Sequence, residues 1–169
     1  DRGPVTDWII DDTGFPKQGT HSVGVQRQYS GTLGKIGNCQ VAASLTLATR
    51  TEHVPVDFAL YLPESWTEDP ARRAEAHIPK EVKFKTKPEL GIEMIERAVA
   101  DGLPTGLVLA DSAYGDNSEF RRHVRCEGLD YAVGLHRTTT VWRLDSLGRR
   151  TGDPVSVGDL ADAIGQKAF

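Results

Sequence analysis

Apolar positions fall in short runs separated by polar, glycine-bearing stretches, and their spacing lengthens from two to three or four partway along the chain. Residues 5–12 (VTDWIIDD) place Trp8, Ile9 and Ile10 together before two acids and a Thr-Gly, the pattern of a short strand buried on both faces. Residues 40–50 and 54–63 are rich in β-formers, with alternation at Val56, Phe58, Leu60 and Leu62, and predict two long antiparallel neighbours. Between these strands, glycines recur at 14, 19, 24, 31, 34 and 37, so residues 13–38 read as loop or broken hairpin. Residues 63–80 are polar and punctuated by proline, a surface excursion with one short helix over 70–76.

The period then becomes helical. Thr86 and Glu89 have the spacing of a capping box, Ile92, Ile95 and Val99 follow on one face, and Gly102 stops the run. Residues 105–111 (TGLVLAD) form a continuous apolar strand ending in an acid. A second helix over 116–128 stacks Phe120 on Val124, 129–135 read as another buried strand, 139–145 as a strand, and 156–164 as the opening of a helix. Three early strands followed by strand–helix–strand units predict a mixed sheet with helices packed on its faces, an α/β architecture. Ribonuclease-H-like folds share this order with some unrelated sheets, so order alone gives no function.

Composition narrows the classes. With 38% hydrophobic and 26% charged residues over 169 positions, the chain is an ordinary globular domain. No apolar run approaches the roughly 18 residues of a membrane span, and the first residues lack the pattern of a signal peptide. Met94 is the sole methionine, so the sequence reads as an excerpt of a longer protein or a processed one. Cys39 and Cys126 form no CxxC pair, and the expected state is two buried or idle thiols in a reducing cytosol. Twenty Lys and Arg against 24 Asp and Glu give a net charge of −4, so any polyanion partner must be met by local patches. Lys17, Arg27 and Lys35 are spread through the glycine-rich stretch. Lys83, Lys85 and Lys87 alternate with Val82, Phe84 and Thr86 and, if extended, share one face suited to a phosphate backbone. The competing reading is an edge kept soluble by lysine.

The chemistry-bearing residues are acids at strand ends: Asp11 and Asp12 after WII, and Asp111 after LVLA. Carboxylates that converge repel unless a proton or cation holds them, and hard oxygen ligands suit Mg²⁺ or Mn²⁺. Alternatively, the same acids cap helices and form turns. The stretch GTLGKIG lacks the spacing and hydroxyl of a phosphate-binding loop, and His21 and His123 read as surface or packing residues. An aspartyl-phosphate phosphohydrolase needs acids two apart with a threonine two beyond, whereas here the acids are adjacent and Thr13 follows at once.

The blocks DDTGFPKQGTHSVGVQRQYSGTLGKIGNCQ, LYLPESW, FKTKPE, LVLADSAYGDNSEFR and YAVGL resemble, in order, the catalytic core of DDE-type transposases of bacterial insertion sequences, the DDE superfamily endonucleases. The resemblance runs from about Trp8 to Leu135. It implies a ribonuclease-H-like core in which Asp11, or Asp12 as the alternate first acid, and Asp111 bind Mg²⁺ or Mn²⁺ for cleavage and joining of DNA. It further implies a bacterial cytoplasmic protein at the nucleoid, acting on transposon ends and target DNA as a homodimer in the synaptic complex. The family's third acid, a helix-borne glutamate well after the YAVGL-like strand, has no counterpart by Phe169, and the surroundings of Asp159 and Asp162 do not match it. The chain therefore reads as one partial catalytic core over 1–169, with 136–169 beginning an insertion or extension. On that reading the isolated piece is inactive, and the alternative is a relic acting at most in DNA binding or assembly.

Overall fold

A computed structural model describes residues 3–165. Strand β1 (Asp7–Pro16) lies at the centre of a six-stranded sheet. After it come β2 (Gln26–Ser30), a 3₁₀ turn (Gly31–Leu33), the 14-residue β3 (Lys35–Ala48) and β4 (His53–Leu60). Strand β3 pairs antiparallel with β1 along one side and, on its other side, with β2 through its first half and β4 through its second. Of the two readings open for the glycine-rich stretch, loop or broken hairpin, its second half is the hairpin, with β3 starting earlier than its apolar run. Two short helices, α1 (Glu64–Thr67) and α2 (Pro70–Glu75), follow. The first of these was not anticipated. It buries Trp66, whose indole N–H donates to the Val25 carbonyl at 2.9 Å while Arg72 lies 3.5 Å over the ring.

The helical half is built on α3 (Lys87–Ala100), β5 (Leu107–Ala110), α4 (Ser112–Gly115), α5 (Ser118–Cys126) and β6 (Tyr131–Val133). The capping box forms as spaced: the Thr86 side chain accepts from the Glu89 N–H, and the Glu89 carboxylate accepts from the Thr86 N–H at 2.7 Å. Strands β5 and β6 run parallel to β1, each one place further out. Antiparallel pairing on one side of the first strand and parallel pairing on the other is the ribonuclease-H-like arrangement, so the expected α/β fold is the fold observed. An antiparallel ribbon, β7 (Thr140–Leu144) with β8 (Arg150–Ser156), then leads into α6 (Val157–Ile164). The strand over 150–156 was not legible, because its polar residues carry no apolar period.

The core lies between the sheet and α3, α4 and α5. Trp8 and Ile10 of β1, Leu45 of β3, Met94 and Ile95 of α3, Tyr114 of α4 and Phe120 and Val124 of α5 are all buried there. Each such side chain contributes about 1.5–3 kcal/mol on leaving water. The opposite face of the sheet is more open. Ile9 is only half-buried, Val54, Val56, Phe58 and Leu60 are exposed, and β6 is a half-open edge strand. Neither β1 nor β6 is therefore the doubly buried strand its composition suggests, because the described helices of the main core cover one face.

Candidate active site

The register of the parallel strands sets the acids side by side. Ile10 pairs with Ala110, the last residue of β5, so Asp11 and Asp111 occupy the next level on neighbouring strands. Strand β5 stops at Ala110 and gives way to α4, as at the ligand clefts of open α/β sheets. Strand β1 instead runs on past its two acids to Pro16, because β3 continues to pair with it beyond them, so Asp11 and Asp12 lie within that strand and not at its end as the sequence suggests. A cleft of about 260 Å³ opens there, lined among others by Asp11, Asp12, Asp111, Lys87, Ser112 and His136. The sheet brings these groups together from positions a hundred residues apart.

Each acid is held differently. Asp11 is exposed; its Oδ1 accepts from the Asp12 N–H at 2.7 Å, and its carbonyl accepts from the Ser44 hydroxyl at 3.2 Å. Asp111 keeps an extended backbone (φ −78°, ψ −175°) and caps α4, its Oδ1 accepting from the Ala113 N–H at 2.9 Å. Asp12, the alternate first acid, shares the inner face of β1 with Trp8 and Ile10, where Lys87 Nζ donates to Oδ2 and the Tyr114 hydroxyl to Oδ1. Side chains alternate along a strand, and the inner face is the one carrying the core, so Asp12 meets α3 and α4 while Asp11 does not.

Tyr114 and Lys87 are thus part of the site, although only Lys87 had been singled out, and for a different role. Burial raises the Tyr114 phenol beyond the ordinary tyrosine range, and the charges of Asp12, Asp11 and Asp111 all add to the shift. All three carboxylates therefore act on this one hydroxyl, which stays protonated and remains a donor. The short helix that carries Tyr114 follows directly from the sequence DSAYG, an aspartate N-cap before a single turn, and that signal could have been read. Its glycine is dictated by packing: a Cβ on Gly115 would lie 2.0 Å from the Gly134 carbonyl oxygen. Only glycine lets α4 approach the end of β6 and bring Tyr114 down onto Asp12.

The lysine stripe over 83–87 does not form. Residues 82–86 are irregular, Lys85 pairs with Glu93 at 2.5 Å, and Lys87 is the first residue of α3 with its ammonium on Asp12. The capping box starts the helix inside the stretch that alternation had suggested was extended. Lys83 is exposed, as are Lys17, Arg27 and Lys35 around the β2–β3 hairpin. His21 and His123 sit beside Glu75 and Glu96, at 3.5 and 3.1 Å. Asp159 lies next to the Ser156 cap of α6, and Asp162 pairs with Arg137 in the segment before β7. Cys39 is buried and Cys126 exposed, both free.

A divalent cation fits this donor set. Three carboxylates and one ammonium leave an excess of two negative charges in the cleft. Among the described residues no three acidic, histidine or cysteine groups close into a cage. Magnesium commonly binds through one or two carboxylates, keeping waters and substrate phosphates as its other ligands.

The chain is 34% identical over 128 residues to a probable transposase for insertion sequence element IS701 from Microchaete diplosiphon; the match covers 75% of this chain and 31% of that protein. The chain thus spans about a third of the length of the curated relative it matches. No solved structure matches it. The sequence profile of the DDE superfamily endonucleases matches residues 1–166, nearly the whole chain, and the protein belongs to that family.

Proposed function

We propose that this chain supplies the catalytic core of an insertion-sequence transposase, cleaving DNA and joining it to a target with Mg²⁺ or Mn²⁺. The observation that carries the reading is the convergence of Asp11, Asp12 and Asp111 on one cleft, just past the point where β1 and β5 stop pairing in parallel, in a DDE-family chain. Asp11 and Asp111 are the cation ligands in this proposal. They stand level on neighbouring strands, whereas Lys87 and Tyr114 already take both oxygens of Asp12. Asp12 is the alternate first acid, and its anchoring fixes this part of β1 so that Asp11 is held at the mouth. Bound divalent cations would supply Lewis-acid activation of the attacking oxygen and stabilisation of the leaving one. The carboxylates orient the phosphodiester by holding those cations; Lys17, Arg27, Lys35 and Lys83 contact its backbone, with Lys85 and Lys87 the less available of the proposed DNA-binding lysines. Transposon ends and target DNA are the substrates, a homodimer is the proposed synaptic state, and the cytoplasm at the nucleoid is the proposed location. Among the described residues no helix is long and apolar enough to cross a membrane.

The test uses the intact protein with its insertion-sequence ends. Asp111→Asn keeps the shape of the helix cap but removes the charge, and is expected to abolish Mg²⁺-dependent strand cleavage while leaving end binding within a few-fold. Asp11→Asn should do the same, and should weaken Mn²⁺ binding measured by electron paramagnetic resonance. Cleavage by either variant at near the unmodified rate overturns the assignment of that acid. Normal cleavage in the presence of a chelator overturns the metal reading itself.

A further inference from the structure

One more group lines the acidic cleft, and its setting differs from that of the carboxylates. His136 lies on the segment after β6, which passes close over the end of β5: the Gly134 N–H donates to the Ala110 carbonyl at 2.9 Å. A Cβ on Gly134 would stand 3.0 Å from the Ser112 nitrogen, so the segment is packed against the start of α4. The carboxylate of Asp116, just beyond α4, holds this segment. It accepts from the His136 backbone N–H at 3.1 Å, from His136 Nδ1 and from the Thr139 hydroxyl at 2.6 Å. The bonds from Thr139 and His136 hold the Asp116 carboxyl below the usual aspartate range, so it is ionised and accepts only. The Nδ1 atom must therefore carry the shared hydrogen. In a neutral imidazole this leaves the Nε2 lone pair unprotonated, on a ring that lines the cleft of Asp11, Asp12 and Asp111.

We propose that His136, oriented by Asp116, is a catalytic residue of this cleft: Nε2 accepts the proton of the oxygen that attacks the phosphodiester. The inference rests on the DNA-cleaving function proposed above. In hydrolysis the water oxygen bonds to phosphorus while its O–H bond breaks and that proton passes to Nε2. The bond from phosphorus to the leaving oxygen breaks, and its electron pair departs on that oxygen, which takes a proton from solvent. Asp116 stays ionised throughout, fixing the tautomer and steadying the imidazolium until Nε2 returns its proton to water. This is the base-and-orienter relation found wherever a carboxylate fixes the far nitrogen of a catalytic imidazole.

The experiment measures single-turnover cleavage of insertion-sequence ends by the intact protein in Mg²⁺, beside end binding. His136→Gly is expected to bind ends within a few-fold but to cleave roughly 10²- to 10⁴-fold more slowly, the range for loss of a general base. Added imidazole should restore part of that rate, which a merely structural role would not allow. Asp116→Asn should slow cleavage as well, without rescue by imidazole. If the unmodified protein cleaves and His136→Gly cleaves within a few-fold of it, the assignment of His136 falls while the function stands; an unmodified protein that never cleaves ends overturns both. Should the glycine variant fail to fold, ¹⁵N chemical shifts of the imidazole in the unmodified protein decide. A ring protonated at Nδ1 alone supports the assignment, and one protonated at Nε2 alone overturns it.

Discussion

At the residue scale, the middle of β1 is organised by one half-buried carboxylate with two partners. Asp12 accepts from a fully buried tyrosine and from the lysine that opens α3, which ties the first strand to both helices beside the cleft. Tyr114→Phe removes one donor and leaves the ring in place. The expected cost is about 1.5 kcal/mol, the scale of a hydrogen bond to a charged group, read as a lower urea midpoint with an unchanged slope. An unchanged midpoint would show that Lys87 alone holds Asp12. The adjacent acids were legible as a pair, but their division of labour was not. Alternation puts them on opposite faces without saying which face carries the helices, and that depends on α3 and α4 packing against Trp8 and Ile10.

At the scale of elements, α3 has to approach β1 closely for Lys87 to reach Asp12, and Gly91 permits that approach. A Cβ there would meet Ile10 Cγ2 at 3.2 Å, Tyr114 Cε1 at 3.2 Å and Phe120 Cε2 at 3.3 Å, all of them in the tightly packed core. In an open helix, replacing glycine with alanine stabilises by up to about 1 kcal/mol. Here three buried neighbours would have to give way together, and overpacking of this kind costs about 1–3 kcal/mol. Gly91→Ala is therefore expected to lower stability on chemical denaturation; a gain would mean that α3 can move away from β1 without loss. The helix itself was legible from Thr86, Glu89 and the apolar face. The glycine on its packed side carried no readable message, since the sequence does not say which neighbours will stand 3 Å away.

At the scale of the whole molecule, the net charge of −4 conceals a separation of charge. Asp11, Asp12 and Asp111 gather in the cleft beside β1 and the end of β5, while Lys17, Arg27 and Lys35 stand exposed around the β2–β3 hairpin. If the hairpin tracks a DNA backbone, replacing all three with Gln should weaken binding to every sequence alike. The slope of log K against log[salt] should flatten by up to about 3, since each phosphate contact contributes roughly 0.9. An unchanged slope would assign these residues to solubility. Lys85 and Lys87 are expected to contribute less, because each is already neutralised by a carboxylate.

Local pattern was enough to determine the order of the main elements, the capping box and the candidate acids after the apolar runs of β1 and β5, because each depends on residues within one turn or one strand of each other. The motif blocks added the family, which the profile match bears out. Tertiary structure alone decided that Lys87 leaves the presumed stripe for Asp12, that Tyr114 joins it, and that Asp116 holds His136 at the same cleft. These pairings span 75, 102 and 20 positions. They arise where a parallel register and close-packed glycines bring distant strand ends and helix starts to one edge, a coincidence in space that no local period encodes.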